Sequence, residues 1–225
     1  MTSLNYIQAH FLTFEQMAAK SDLSVSDLEE MIAADCLPGP AYQVETEVLV
    51  QSVFGPHKEL CAQAFYPPSY VAKAKAVAAD SALYQEQACV QKANFMRTYR
   101  QVLEAERAWE FGLEALFLAD KKVGGAEAER FLESEWQHYL DGTYGLCTRN
   151  ATFEEIAVKE VAIAKIKHFL AVLDRAEDAG LKAELAEAVD RLDSVSSPFA
   201  PHERGRSSRG KWIDEVREKY LGMQT

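Results

Sequence analysis

The sequence predicts a mainly α-helical chain, with an N-terminal helix-turn-helix and small β-ribbon packed on an α-helical bundle. Three observations predict it. Two short, separately capped helix signals follow one another in the first 35 residues. "AYQVETEVLVQSVFGP", residues 41–56, then shows partial alternation and β-branched residues. From Pro67 onward nearly every stretch has apolar residues at helical spacing.

The elements follow in order. In "LTFEQMAAKS" Thr13 can cap a helix, and Gln16 three positions on closes a capping box. Ser24 caps a second helix whose Val25, Leu28, Met31 and Ile32 share a face, and Pro38, Gly39 and Pro40 end it. The ribbon is expected to close at Gly55 and Pro56. This places a boundary between a unit at 1–57 and a bundle at 58–225. Residues 69–122 are too long for one average helix, so breaks are expected near Asp80-Ser81 and near residue 98, with Gly124-Gly125 ending the block. "AEAERFLESEWQHYL" sets Phe131, Leu132, Trp136, Tyr139 and Leu140 on one face as core. Thr152 and Glu155 form a capping box for a helix reaching about Glu177, which puts Ile156, Val161, Ile163, Ile166, Phe169, Leu170 and Leu173 inward, with Gly180 as its end. Another amphipathic helix stops at Ser196-Ser197-Pro198. The last starts near Ser208 and buries Trp212, Ile213, Val216 and Tyr220.

Charge excludes several function classes. The chain has 24 basic and 35 acidic side chains, a formal charge of −11. Affinity for nucleic acid comes mostly from Lys and Arg neutralising phosphates. Residues 1–50 hold eight acids and one base, Lys20. The second helix, "VSDLEEMIAAD", has no Arg, Lys, Asn or Gln to read a base edge. A structural or partner-docking role is expected for this unit, and no nucleic-acid partner. No apolar run is long enough to span a membrane, and the N-terminus has no basic start or cleavage signal, so no membrane partner and a cytoplasmic location are expected. Cys36, Cys61, Cys89 and Cys147 form no C-x-x-C pair and read as free thiols. Neither G-x-G-x-x-G nor a P-loop occurs, so no standard nucleotide site is expected, and the sequence leaves the cofactor open.

Two stretches carry candidate chemistry. "PHERGRSSRGK", residues 201–211, holds Arg204, Arg206, Arg209 and Lys211 against one acid, Glu203. Ser207 and Ser208 stand where a helix begins, and its open N–H groups and partial positive charge suit an anion. The alternative is an N-cap plus salt bridges tying the last helix to the bundle. His202 and Glu203 are a candidate acid–base pair. In "YLDGTYGLCTRNATFEE", Asp141, Gly142 and Gly145 suggest a tight turn. Asp141 and Tyr144 are candidate ligand contacts, and Cys147, near Arg149, is a candidate nucleophile. Lys159-Glu160 reads as a solvated pair. Glu135 and His138 have the spacing seen in di-iron bundles, but the chain offers only one such helix, so no metal is expected.

Residues 11–44, 139–160 and 197–221 together resemble a bacterial family known only as natural-product biosynthesis proteins of unknown function. The resemblance implies specialised metabolism and carries no reaction or catalytic residues. The expectation is an enzyme or substrate-handling protein acting on an anionic small molecule where the loops 141–149 and 201–211 converge. Arg204, Arg206, Ser207, Ser208 and Arg209 would bind the anion, and His202, Glu203 or Cys147 would move a proton or attack. The alternatives are a non-catalytic module that docks a pathway partner and, third, a transcription regulator.

Overall fold

The computed structural model describes residues 2–173 and 179–223. α1 (Ser3–His10) leads through β1 (Leu12–Thr13) into α2 (Phe14–Ser21) and α3 (Val25–Ala33). Both expected caps form. The Thr13 hydroxyl accepts from the Gln16 amide while the Gln16 side chain accepts from Thr13 N–H. Ser24 makes the same box with Asp27. Met17, Leu28 and Met31 are fully buried, and α2 packs on α4 (Tyr70–Ala79). The helix pair is thus a wall of the core. Its outer face shows Glu29 and Glu30 to solvent.

β2 (Tyr42–Ser52) and β3 (Gly55–Tyr66) form a hairpin, and β1 pairs antiparallel with the far end of β3. The hairpin turns at Val53-Phe54, and Gly55 and Pro56 open the second strand instead of closing the ribbon. Alternation continues past the prolyl residue, with Lys58, Leu60, Ala62 and Ala64 on one face. β3 therefore runs straight through position 57/58, where a boundary was expected.

α4 ends at Ala79, as the Asp80-Ser81 signal predicts. The buried Gln87 amide donates to the carbonyls of Val77 and Ala82 at 3.2 and 2.9 Å, stitching the break to the next helix. α5 (Tyr84–Ala105) has no break near residue 98, because Phe95, Tyr99 and Leu103 keep one continuous buried face. α6 (Ala126–Leu140) buries Leu132, Trp136 and Tyr139. After α7 (Thr143–Cys147), α8 (Phe153–Leu173) is buried nearly all round, from Ile156 through Phe169. It joins two apolar clusters. One holds α2 and α3 with α4, α5 and α6, and the other holds α9 (Ala179–Val195) and the last helix. Gly180 lies inside α9, and the expected helix end near Glu177 falls outside the described residues.

α9 stops at Val195, as expected. α10 (Pro201–Arg204) follows, and a helix starting at Ser208 passes through a π-turn at Gly210–Asp214 into α11 (Glu215–Tyr220). Ile213 and Val216 are buried, while Trp212 and Tyr220 are partly so. Gly210 is required here: a Cβ would lie 2.1 Å from the Arg204 carbonyl oxygen. No helix among the described residues is long and apolar enough to cross a membrane.

Candidate functional site

The arginine-rich loop is held by the chain's own carboxylates. Arg204 makes a two-pronged pair with Asp214, Nε to Oδ2 at 2.8 Å and Nη2 to Oδ1 at 3.0 Å. Asp193 on α9 takes Arg209 at 2.5 Å on one oxygen and Arg217 at 2.7 Å on the other. Arg149 reaches the Asp193 backbone carbonyl at 3.0 Å. Burial alone would raise the Asp193 carboxyl, but hydrogen bonds from Arg217 and Arg209 win and hold it below the usual carboxylate range. Ser207 caps the last helix by accepting from the Gly210 amide at 3.1 Å. Glu203 accepts from the buried Tyr42 hydroxyl at 2.7 Å, and His202 stands 3.8 Å from Glu203 with its ring half-exposed. Arg206 is exposed and has no side-chain partner among the described residues. Ser196 Oγ, Ser208 Oγ and Arg209 Nε are buried without a hydrogen-bond partner there.

The loop at 141–149 meets the segment just ahead of the arginine-rich loop, through Thr148 bridging to Ser196 and Ser197 Oγ donating to the Leu146 carbonyl at 2.7 Å, and Arg149 and Arg209 both approach Asp193. Asp141 folds back on its own turn, accepting from Thr143 N–H at 2.9 Å. Gly142 is in the left-handed region, and a Cβ there would sit 2.4 Å from the Pro40 carbonyl oxygen. Tyr144 is buried and donates to Glu135, which also accepts from Tyr99 at 3.0 Å. Glu135 and His138 thus face different partners, since His138 lies 3.6 Å from Asp141. Burial pushes the Cys147 thiol up, with the Lys159 ammonium beside it offsetting part of the rise, so the thiolate is scarce at neutral pH. Lys159-Glu160 is not a solvated pair. Both are partly buried, and desolvation with the charge of Glu135 raises the Glu160 carboxyl.

The residue that sequence reasoning missed is Lys73. It stands on α4 in the wall of a cleft of about 580 Å³. Val77, Val90 and Phe153 give the cleft an apolar lining, while Asp80 and Glu86 stand at its solvent-exposed positions. Lys73 Nζ donates to the Ala151 carbonyl at 2.6 Å and to the Tyr139 hydroxyl at 3.2 Å. It sits over the rings of Tyr139, Phe153 and Tyr70 at 4.8, 5.6 and 5.8 Å. Among the described residues no carboxylate pairs with it. Desolvation lowers its pKa to about 8, with the charge of Glu155 opposing. An ammonium in an apolar cleft with neutral partners can give a strong, charge-assisted hydrogen bond to an incoming oxygen.

Comparison with known proteins places part of this architecture. A family of unknown function, DUF6058, matches residues 91–221, from the middle of α5 through the last helix. The match includes both loops and Tyr139, Thr152 and Phe153 of the cleft, while Lys73 and the hairpin precede it. No curated protein and no solved structure matches the chain. With more than half of its length covered, the chain belongs to DUF6058, a family of unknown function.

Proposed function

We propose that this chain is a substrate-handling protein of specialised metabolism, working in the cytoplasm, and that the cleft beside Lys73 takes a small anionic molecule with an apolar body. The observation that carries the reading is the Lys73 ammonium, largely buried and free of any carboxylate partner among the described residues, in the wall of an apolar cleft. The ligand's negative oxygen would meet Nζ, and its body would lie against Val77, Val90 and Phe153. The specialised-metabolism part comes from the resemblance of residues 11–44, 139–160 and 197–221.

Calorimetry with decanoate and decan-1-ol tests the charge requirement. Decanoate is expected to bind about tenfold more tightly than the alcohol, and Lys73→Met to erase the difference. Equal binding of the two probes to the natural chain, or a preference that survives Lys73→Met, contradicts the reading.

A second reading rests on the lowered lysine pKa. Near neutrality a useful fraction of Lys73 is neutral amine, competent to condense with a carbonyl compound with loss of water. Decanal with borohydride would then leave a secondary amine at Lys73, seen by peptide mass. Labelling spread over the exposed lysines, such as Lys75 and Lys211, would remove this reading.

A further inference from the structure

We propose that the outer edge of β2 pairs antiparallel with β2 of a second copy of this chain. Among the described residues β1 covers β3 only opposite Leu12 and Thr13, so beyond that point the hairpin is a bare two-stranded arm. Leu49, Val50 and Leu60 are exposed along it, and Val53 and Phe54 at the tip are 95% and 98% exposed. An isolated two-stranded ribbon is marginal in water and needs a third strand or a covering surface.

The two edges of the arm differ. β3 is guarded by β1, by Pro56, which has no N–H to offer, and by Lys58. β2 has no Pro, Gly or Lys anywhere from Tyr42 to Ser52. Among the described residues no strand pairs with its outer edge, which is exposed over most of Glu45–Ser52.

The two acidic residues of β2, Glu45 and Glu47, restrict the register in which it can pair with its own copy. A two-fold axis between two antiparallel strands keeps each side chain on its own face, so the axis must pass through a residue paired with its own copy. Centring on Glu47 sets the two Glu47 carboxylates opposite each other, and centring on Thr46 sets Glu45 against Glu47. Centring on Val48 gives the longest register that avoids both. Val48 then meets Val48, Thr46 meets Val50, Glu45 meets Gln51 and Glu47 meets Leu49. Thr46, Val48 and Val50 of both copies line one face of the joined sheet, the kind of cross-strand pairing that stabilises a ladder. In this register the Thr46, Val48 and Val50 ladder matches itself and the two Glu47 are left only as diagonal neighbours, so the proposed occupant is a second copy.

Sedimentation of the full chain, and thiol crosslinking in a Cys61→Ser, Cys89→Ser background, test the proposal. The natural chain is expected to be a dimer at micromolar concentration, and Val48→Asp to weaken it about tenfold or more. Val48→Cys should form a disulfide-linked dimer on mild oxidation, whereas Glu45→Cys should not, because in this register the two copies of position 45 are far apart. The crosslink keeps the test valid if Val48→Asp also disturbs the hairpin. A chain that stays monomeric at all concentrations, or a dimer that crosslinks as readily through position 45, overturns the proposal. The first outcome would assign the arm to a different protein.

Discussion

The arginine-rich loop and the Lys73 cleft present opposite solutions to the placing of positive charge. Arg204 and Arg209 of the loop and Arg217 of α11 each meet a carboxylate of the same chain, and Asp193 serves two of them. In the cleft one lysine faces aromatic rings, a hydroxyl and a carbonyl, with no carboxylate paired to it among the described residues. A dense run of charge recruits its own counter-charges and fastens the last helix to α9. A lone charge in apolar surroundings keeps its capacity to attract a ligand. Functional potential therefore follows from missing counter-charge rather than from charge density.

The largest effect that could break this contrast is at Asp193. Asp193→Ala leaves Arg209 and Arg217 short of their shared carboxylate and should destabilise the chain by about 3 kcal/mol, read by urea unfolding. Decanoate binding, measured in the cold where the variant stays folded, should be unchanged. A stable variant that loses binding would transfer the site to the loop.

The next test uses proton linkage at Lys73. Its folded pKa, about 8, lies below the ordinary lysine value of 10.5, so folding disfavours the ammonium. The unfolded chain binds the extra proton between these values. Stability relative to Lys73→Met should therefore be at its lowest below pH 8 and climb as pH rises through 8 toward 10.5, by about 3 kcal/mol. A flat difference between the two proteins from pH 7 to 10.5 would mean that the amine is solvated.

The smallest effect sharpens the comparison within the loop. Arg206 is exposed and unpaired among the described residues, so Arg206→Ala should change stability by less than about 0.5 kcal/mol, whereas Arg209→Ala should cost several times more. Thermal melts of the two variants side by side measure this directly. Equal losses would show that the loop acts as one body rather than through its pairs.

Local signals were legible in the sequence and assembled ones were not. The Thr13 and Ser24 capping boxes depend on residues three apart, and both form. The break after Ala79 was likewise written in Asp80-Ser81. By contrast α5 passes residue 98 intact because Tyr99 finds Glu135 of α6, a partner 36 positions away. Lys73 and Lys75 look alike in "VAKAKAVAAD", yet two steps along a helix turn them to nearly opposite sides. Lys75 is exposed and lies 3.4 Å from Asp22, while Lys73 enters a cleft made by α4, α5, α6 and the start of α8. The arginine cluster was visible as composition, but its counter-charges Asp190 and Asp193 come from a different helix. The sequence offered the cap and salt bridges as an alternative, and Ser207, Asp193 and Asp214 supply them, but it could not name the carboxylates.

The central claim is that a ligand meets this chain at Lys73 and not at the arginines. Amide chemical-shift mapping of the ¹⁵N-labelled protein during a decanoate titration separates the two. The account predicts shifts confined to Lys73–Val77, Gln87–Gln91 and Thr152–Phe153, lost in Lys73→Met. Shifts gathered instead at residues 196–211, or none at any decanoate concentration, would contradict it.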